Sequence, residues 1–178
     1  MPRTWRDEWD ETPVVVSTPS QTVFVTLTGT SWVEVRFAPG FYERANAREM
    51  AEQLTRALRL LYVERTRQYY AALSAATGQP VRPGTDTGHR RSADYRRRLS
   101  ELSAEGSSAG GVVRVFGVGL SGFTVSVTPG SLGAMGEDEF AAACREAGLA
   151  FLADHLQQVA ELRYDVYVRP ELEAAGLG

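Results

Sequence analysis

The chain has 178 residues, 43 % of them hydrophobic and 23 % charged, and carries nineteen basic against twenty-two acidic side chains for a net charge of −3. That is a soluble globular composition, long enough for one core or two small fused ones. No apolar run approaches the roughly 18 residues that span a bilayer, and the charged amino terminus does not read as a signal, so a cytoplasmic protein without a membrane partner is expected. The single cysteine, Cys144, excludes an internal disulfide and a cysteine-rich zinc cluster. Every basic residue is arginine, which excludes a Walker A lysine, a Schiff base and a lysine general base; the Arg, Ala and Gly bias points to a high-GC genome.

Taken along the chain, residues 3–9 are too short for a leading helix, and residues 14–17 read as a first strand. Val23, Val25 and Leu27 then alternate with Phe24 and Thr26. After a turn at Gly29, Val33, Val35 and Phe37 alternate with Glu34 and Arg36. This period of two predicts a hairpin buried on one face. Pro39-Gly40 ends it, because proline cannot donate to a ladder. Asn46 next offers a helix cap, with Glu49 placed to complete a capping box. Met50, Leu54, Ala57, Leu58 and Leu61 follow at helical spacing. Residues 78–88, rich in Pro, Gly, Thr and Asp, read as a linker. Residues 90–102 read as a basic helix with Tyr95, Leu99 and Leu102 along a thin apolar edge.

Shifting the chain by ninety residues makes ten of the forty positions from 21 to 60 identical, several times chance. Val23 meets Val113, Val25 meets Val115, Gly29 meets Gly119, Pro39 meets Pro129 and Gly40 meets Gly130. The matches fall on turn glycines, a proline and alternating valines, where backbone geometry dictates the residue. Only the counterpart of the first strand, near residues 103–108, is weak. Phe140, Cys144, Ala147, Gly148 and Phe151 repeat the helical stripe. The predicted fold is therefore α+β, with a unit at 13–77, a linker at 78–88, a second unit at 89–170 and a frayed tail at 171–178. A six-residue strand spans about 20 Å, the length of about 14 helical residues. Each long helix should thus leave its sheet near Leu61 or Phe151. The overhang, with Tyr62, Tyr69, Tyr70 and Leu73 in one copy and Leu152, Leu156, Val159 and Leu162 in the other, needs a cover, and the other copy is the nearest candidate. Arg65 and His155 occupy equivalent positions there, expected to meet solvent or a polar part of the contact.

Several apparent catalytic signals fail in context. The run Gly117-Val118-Gly119-Leu120-Ser121-Gly122 has dinucleotide-fingerprint spacing, but that motif needs a following helix to meet a pyrophosphate, and here a strand follows. His89 and His155 have no second histidine at metal-ligand spacing. Glu137, Asp138 and Glu139 open a helix, where they complement its dipole. Cys144 lies on an apolar stripe and reads as a buried small hydrophobe. No catalytic residue, metal, cofactor or small-molecule substrate is expected, and the chain reads as no enzyme.

The stretch from Tyr95 to Pro129 resembles the YbaB/EbfC family of small nucleoid-associated proteins. It has an arginine-rich helix, Ser107-Ser108-Ala109-Gly110-Gly111-Val112-Val113-Arg114-Val115, a glycine turn and Val125-Ser126-Val127-Thr128-Pro129. The first copy, from Gln21-Thr22-Val23-Phe24-Val25-Thr26-Leu27-Thr28-Gly29 to Tyr70, is similar to YbaB-like accessory proteins of actinobacterial type VII secretion loci. The family unit is a helix, a small antiparallel sheet and a long helix, and it dimerises. The resemblance therefore implies two tandem YbaB-like units packed as an intrachain pseudo-dimer.

It also implies a binding role, for which two surfaces stand out. A nucleoid-associated, DNA-binding role would use Arg90, Arg91, Arg96, Arg97 and Arg98, with Arg48, Arg56, Arg59 and Arg67 on the outer face of the first long helix. Phosphate contacts supply most non-specific affinity, so a local basic strip suffices on an acidic chain. An accessory or chaperone-like role in type VII secretion would instead use Tyr62, Tyr69, Tyr70, Leu73, Leu152, Leu156 and Val159 against a protein partner. Both readings stay open at this level, as does further self-association into a homo-oligomer.

Overall fold

Alternating valines build two three-stranded antiparallel sheets, each followed by a long helix, in a mixed α+β architecture. The computed structural model describes residues 4–82, 90–119 and 121–176; part of the expected linker, His89 and Leu120 lie outside the described residues. The first sheet contains β1 (Val14–Ser17), β2 (Val23–Thr28) and β3 (Trp32–Phe37). It is preceded by α1 (Trp5–Glu11) and followed by a short α2 (Phe41–Arg44) and by α3 (Ala47–Thr77). After α4 (Arg90–Glu101) come β4 (Ser103–Ser107), β5 (Val113–Val118) and β6 (Thr124–Val127). A short α5 (Ser131–Ala134), α6 (Glu137–Arg163) and, beyond one π-helical turn, α7 (Arg169–Ala174) complete the chain.

The hydrogen bonds of the first sheet recur ninety residues later. Thr18 N–H donates to Val23 O at 3.0 Å, and its hydroxyl accepts from Val23 N–H; Ser108 makes the same two bonds with Val113. Both hydroxyls are buried, so each replaces a water that the strand end would otherwise need. Gln21 adopts a φ of 53°, in the left-handed region, where Gly111 has 69°. Gly29 and Gly119 turn the two hairpins at φ 60° and 58°, and Gly40 and Gly130 open the two short helices in the same region. The glycine run is thus hairpin geometry: a Cβ on Gly119 would collide with the Ser100 carbonyl.

Three of the sequence-based expectations are corrected, and the weak strand near residues 103–108 forms. Residues from Trp5 do form a leading helix, because Thr4 and Asp7 make a capping box and the tryptophans pack on α3. The weak strand at Ser103–Ser107 is fully paired with β5. Its small residues are what the position requires: a Cβ on Gly106 would overlap the α6 backbone at Ala147 and Phe151. Residues 171–174 are helical rather than frayed. His155 is buried, with 9 % exposed, and Arg65 is half-buried with 12 % of its side chain exposed, rather than either meeting solvent.

One apolar core runs through both halves. α3 packs on β1 and β2 and also on β6, while α6 packs on β4 and β5 and also on β3. At the seam Phe140 of α6 is fully buried against Phe37 and Tyr42, with ring centroids 5.9 and 5.6 Å away, a burial that contributes about 2–3 kcal/mol. The Tyr42 hydroxyl donates to the carbonyls of Leu132 and Met135. Phe123 completes the seam between Tyr62 and Phe151. The exposed edge of β1 is short: Val16 and Thr18 face β2, so Val15 and Ser17 present the outward N–H groups, and Pro13 and Pro19 bound them on either side. No helix is long and apolar enough to cross a membrane among the described residues.

Candidate functional site

The outer face of α3 is the most distinctive surface of the molecule. Arg48, Glu52, Arg56, Leu60, Val63 and Arg67 follow one another at spacings of four, four, four, three and four, which places them in one stripe. All six are exposed, Val63 to 62 %. The opposite face of the helix carries Met50, Leu54, Ala57 and Leu61 into the core, which is why this stripe must look outward. Asn46 caps the helix as expected, its Oδ1 accepting from Glu49 N–H at 2.9 Å, but as a simple N-cap rather than a reciprocal capping box. Leu60 and Val63 escaped the sequence reading, which took only arginines from the outer face; their signal was helical register with Arg56 and Arg67.

The arginines of the stripe differ in what they already hold. Arg48 pairs with Glu52 at 3.1 Å and Arg67 with Glu64 at 3.9 Å; both pairs are exposed and weakly held. Arg56 has no hydrogen-bond or ion-pair partner among the described residues. Arg59 is structural: it donates to the Phe123 carbonyl, while Thr55 accepts from Val125 N–H at 3.0 Å. Two α3 side chains thereby satisfy one carbonyl and one N–H at the free edge of β6. Beside them lies a shallow groove of about 310 Å³ lined by Arg48, Arg56, Arg59 and Thr124.

The second arginine group is largely engaged within the chain. Arg97 sits between Asp94 at 2.7 Å and Glu101 at 3.3 Å. Arg98 reaches Asp165 at 3.4 Å, a carboxylate that also holds Arg169, and Arg91 reaches Glu171 at 3.5 Å. Arg96 donates to the Ser92 carbonyl on its own helix. The Arg90 side chain lies outside those described. The expected strip on α4 is thus mostly a seam that ties α4 to the end of α6 and to α7, and Tyr95 packs on Tyr167 in the same seam. Burial pushes the Tyr95 hydroxyl above its ordinary range.

The aromatic overhang also has its cover, though a different one from that expected. Tyr69 packs against Trp5, Trp9 and Tyr70, so α1 of the same half shields it, while Tyr62 meets the other half through Phe123. Tyr70, Leu73 and Val159 are half-buried, Leu152 packs on the core and Leu156 is exposed. Arg65 lies beneath this cluster, its guanidinium 3.7 Å from the Trp9 ring centroid. Burial lowers its pKa against the opposing pull of Asp10.

Cys144 and His155 are both buried. Burial pushes the Cys144 thiol far above its ordinary range, and burial against Phe151 lowers the His155 pKa despite the neighbouring Asp154. Asp154 is held below the usual carboxylate range by the Glu105 backbone N–H and by Gln158.

Comparison with protein-family models, with curated proteins and with solved structures yields no match.

Proposed function

We propose that this is a non-enzymatic binding protein of YbaB/EbfC type, built of two tandem units paired as a pseudo-dimer within one chain. In this reading it acts in the cytoplasm, at the nucleoid, by binding the DNA backbone without sequence preference through the outer face of α3. The observation that carries it is the exposed stripe from Arg48 to Arg67, which extends about 28 Å at 1.5 Å per residue and includes the unpartnered Arg56. Guanidinium groups chelate phosphate in bidentate geometry, and the exposed pairs with Glu52 and Glu64 exchange for phosphate at small cost. α3 carries five arginines against three glutamates, whereas α6 carries two arginines against six carboxylates, so of the two long helices α3 is the one that attracts a polyanion. Both Cys144 and His155 are in the core, which supports the non-enzymatic reading. The test is a mobility shift with duplex DNA. Wild-type binding should weaken steeply with salt and be lost when Arg48, Arg56 and Arg67 become alanine; unchanged retention would overturn the reading.

The presence of Leu60 and Val63 within the stripe favours a second reading, an accessory or chaperone-like factor of a type VII secretion system that engages an apolar helix of a protein partner. That reading requires Leu60→Ser with Val63→Ser to abolish partner binding, and Arg56→Ala to leave it intact.

A further inference from the structure

The two long helices present outward stripes of identical spacing and opposite character. On α3 the stripe reads Arg48, Glu52, Arg56, Leu60, Val63 and Arg67; ninety residues on, α6 presents Asp138, Ala142, Glu146, Ala150, Ala153 and Gln157. Apart from the half-buried Ala150, these α6 positions are exposed. Basic positions on one helix are acidic or neutral on the other, and the two bulky aliphatic side chains on α3 correspond to two alanines on α6.

We infer that the α3 face is an interface for a second copy of this chain, which docks with its α6 face. Charge selects the pairing. Setting α3 against α3 opposes arginine to arginine, and α6 against α6 opposes carboxylate to carboxylate, each unfavourable at close range. Only α3 against α6 matches. In a parallel, in-register crossing Arg48 meets Asp138, Arg56 meets Glu146, Arg67 meets Gln157, and Glu52 meets Ala142 rather than another charge. Leu60 and Val63 then lie over Ala150 and Ala153, where the small side chains let the helices approach and the aliphatic ones lose water. A pair keeps one free α3 face and one free α6 face, so the contact is head-to-tail and extends to longer assemblies as concentration rises. Phosphate and the α6 face would compete for the same arginines, but the inference does not rest on the DNA reading, since self-association needs no nucleic acid.

Light scattering of the full chain, without nucleic acid, tests it. The mass of the wild type should rise with concentration at low ionic strength and fall to the monomer at high salt. Arg56→Glu with Arg67→Glu blocks the α3 face, and Asp138→Arg with Gln157→Arg blocks the α6 face; each variant should be monomeric, with unchanged circular dichroism and melting. Mixed together, they retain one complementary pair of faces and should form a single 1:1 heterodimer. The α6 variant should still shift DNA, whereas the α3 variant should not, which separates this interface from the nucleic-acid reading. A wild type that is monomeric at every salt concentration, or association that survives in either variant, overturns the inference.

Discussion

Arg65 and Trp9 join the first helix to the first long one: the guanidinium lies 3.7 Å from the indole centroid while donating to the carbonyls of Trp9 and Thr12 at 3.1 and 3.2 Å. Both carbonyls stand at the carboxy end of α1, where the Trp9 carbonyl also accepts from the Thr12 N–H at 3.3 Å and the guanidinium adds a second donor. One side chain therefore caps a helix and stacks on its last aromatic ring. Arg65→Met keeps the aliphatic stem and loses both functions, and should cost about 2–3 kcal/mol in urea denaturation. Arg65→Lys should recover less than half, because a single ammonium cannot reproduce the planar fork.

Gly106 is set by contact rather than by conformation. A Cβ there would overlap main-chain atoms of Ala147 and Phe151, which no rotamer change relieves. Gly106→Ala should destabilise the fold by about 3 kcal/mol or more, whereas Gly133→Ala, which meets open space, should be near neutral. Thermal melting of the two variants distinguishes them.

Thr55 accepts from Val125 N–H across the seam between the halves. Thr55→Val preserves shape but removes the acceptor, and should cost about 1–2 kcal/mol because the strand-edge N–H is left without a partner. Thr55→Ser should restore most of the loss.

Burial lowers the His155 pKa in the folded state below its ordinary value near 6.5. The unfolded chain then binds a proton that the folded chain does not as pH falls through that value. Stability from this group is full above pH 6.5 and declines below it. The depressed pKa of Asp154 acts in a lower window, its contribution being present above the ordinary carboxylate value near 4 and lost as pH falls further. Melting temperature should thus drop between pH 7 and pH 5 in the wild type, and His155→Phe should flatten that interval while leaving the acid transition near pH 4.

For DNA, the ion pairs decide between the two arginine groups. Arg96→Ala, Arg97→Ala and Arg98→Ala combined should retain most of the mobility shift, since Arg97 and Arg98 are already engaged by Asp94, Glu101 and Asp165. Removing Arg48, Arg56 and Arg67 should abolish it. The reverse order of effects would move the interface to α4.

The strands, the hairpin glycines, the capped start of α3 and the core stripe to Leu61 were legible in the sequence, because each rests on a local period or on a backbone angle that few residues accept. The recurrence at ninety residues was legible for the same reason. Leading helix α1 was not: seven residues are too few to be stable alone, and Trp9 holds them through Arg65, fifty-six positions away. Strand β4 was obscured by Ala104 and Gly106, whose smallness has no β signature and is explained only by the approach of α6. Composition could count the arginines of α4 and α3 but not distinguish them. Which ones face solvent depends on where α6 and α7 bring Asp165 and Glu171, and on β6 taking Arg59, relations that only the tertiary structure creates.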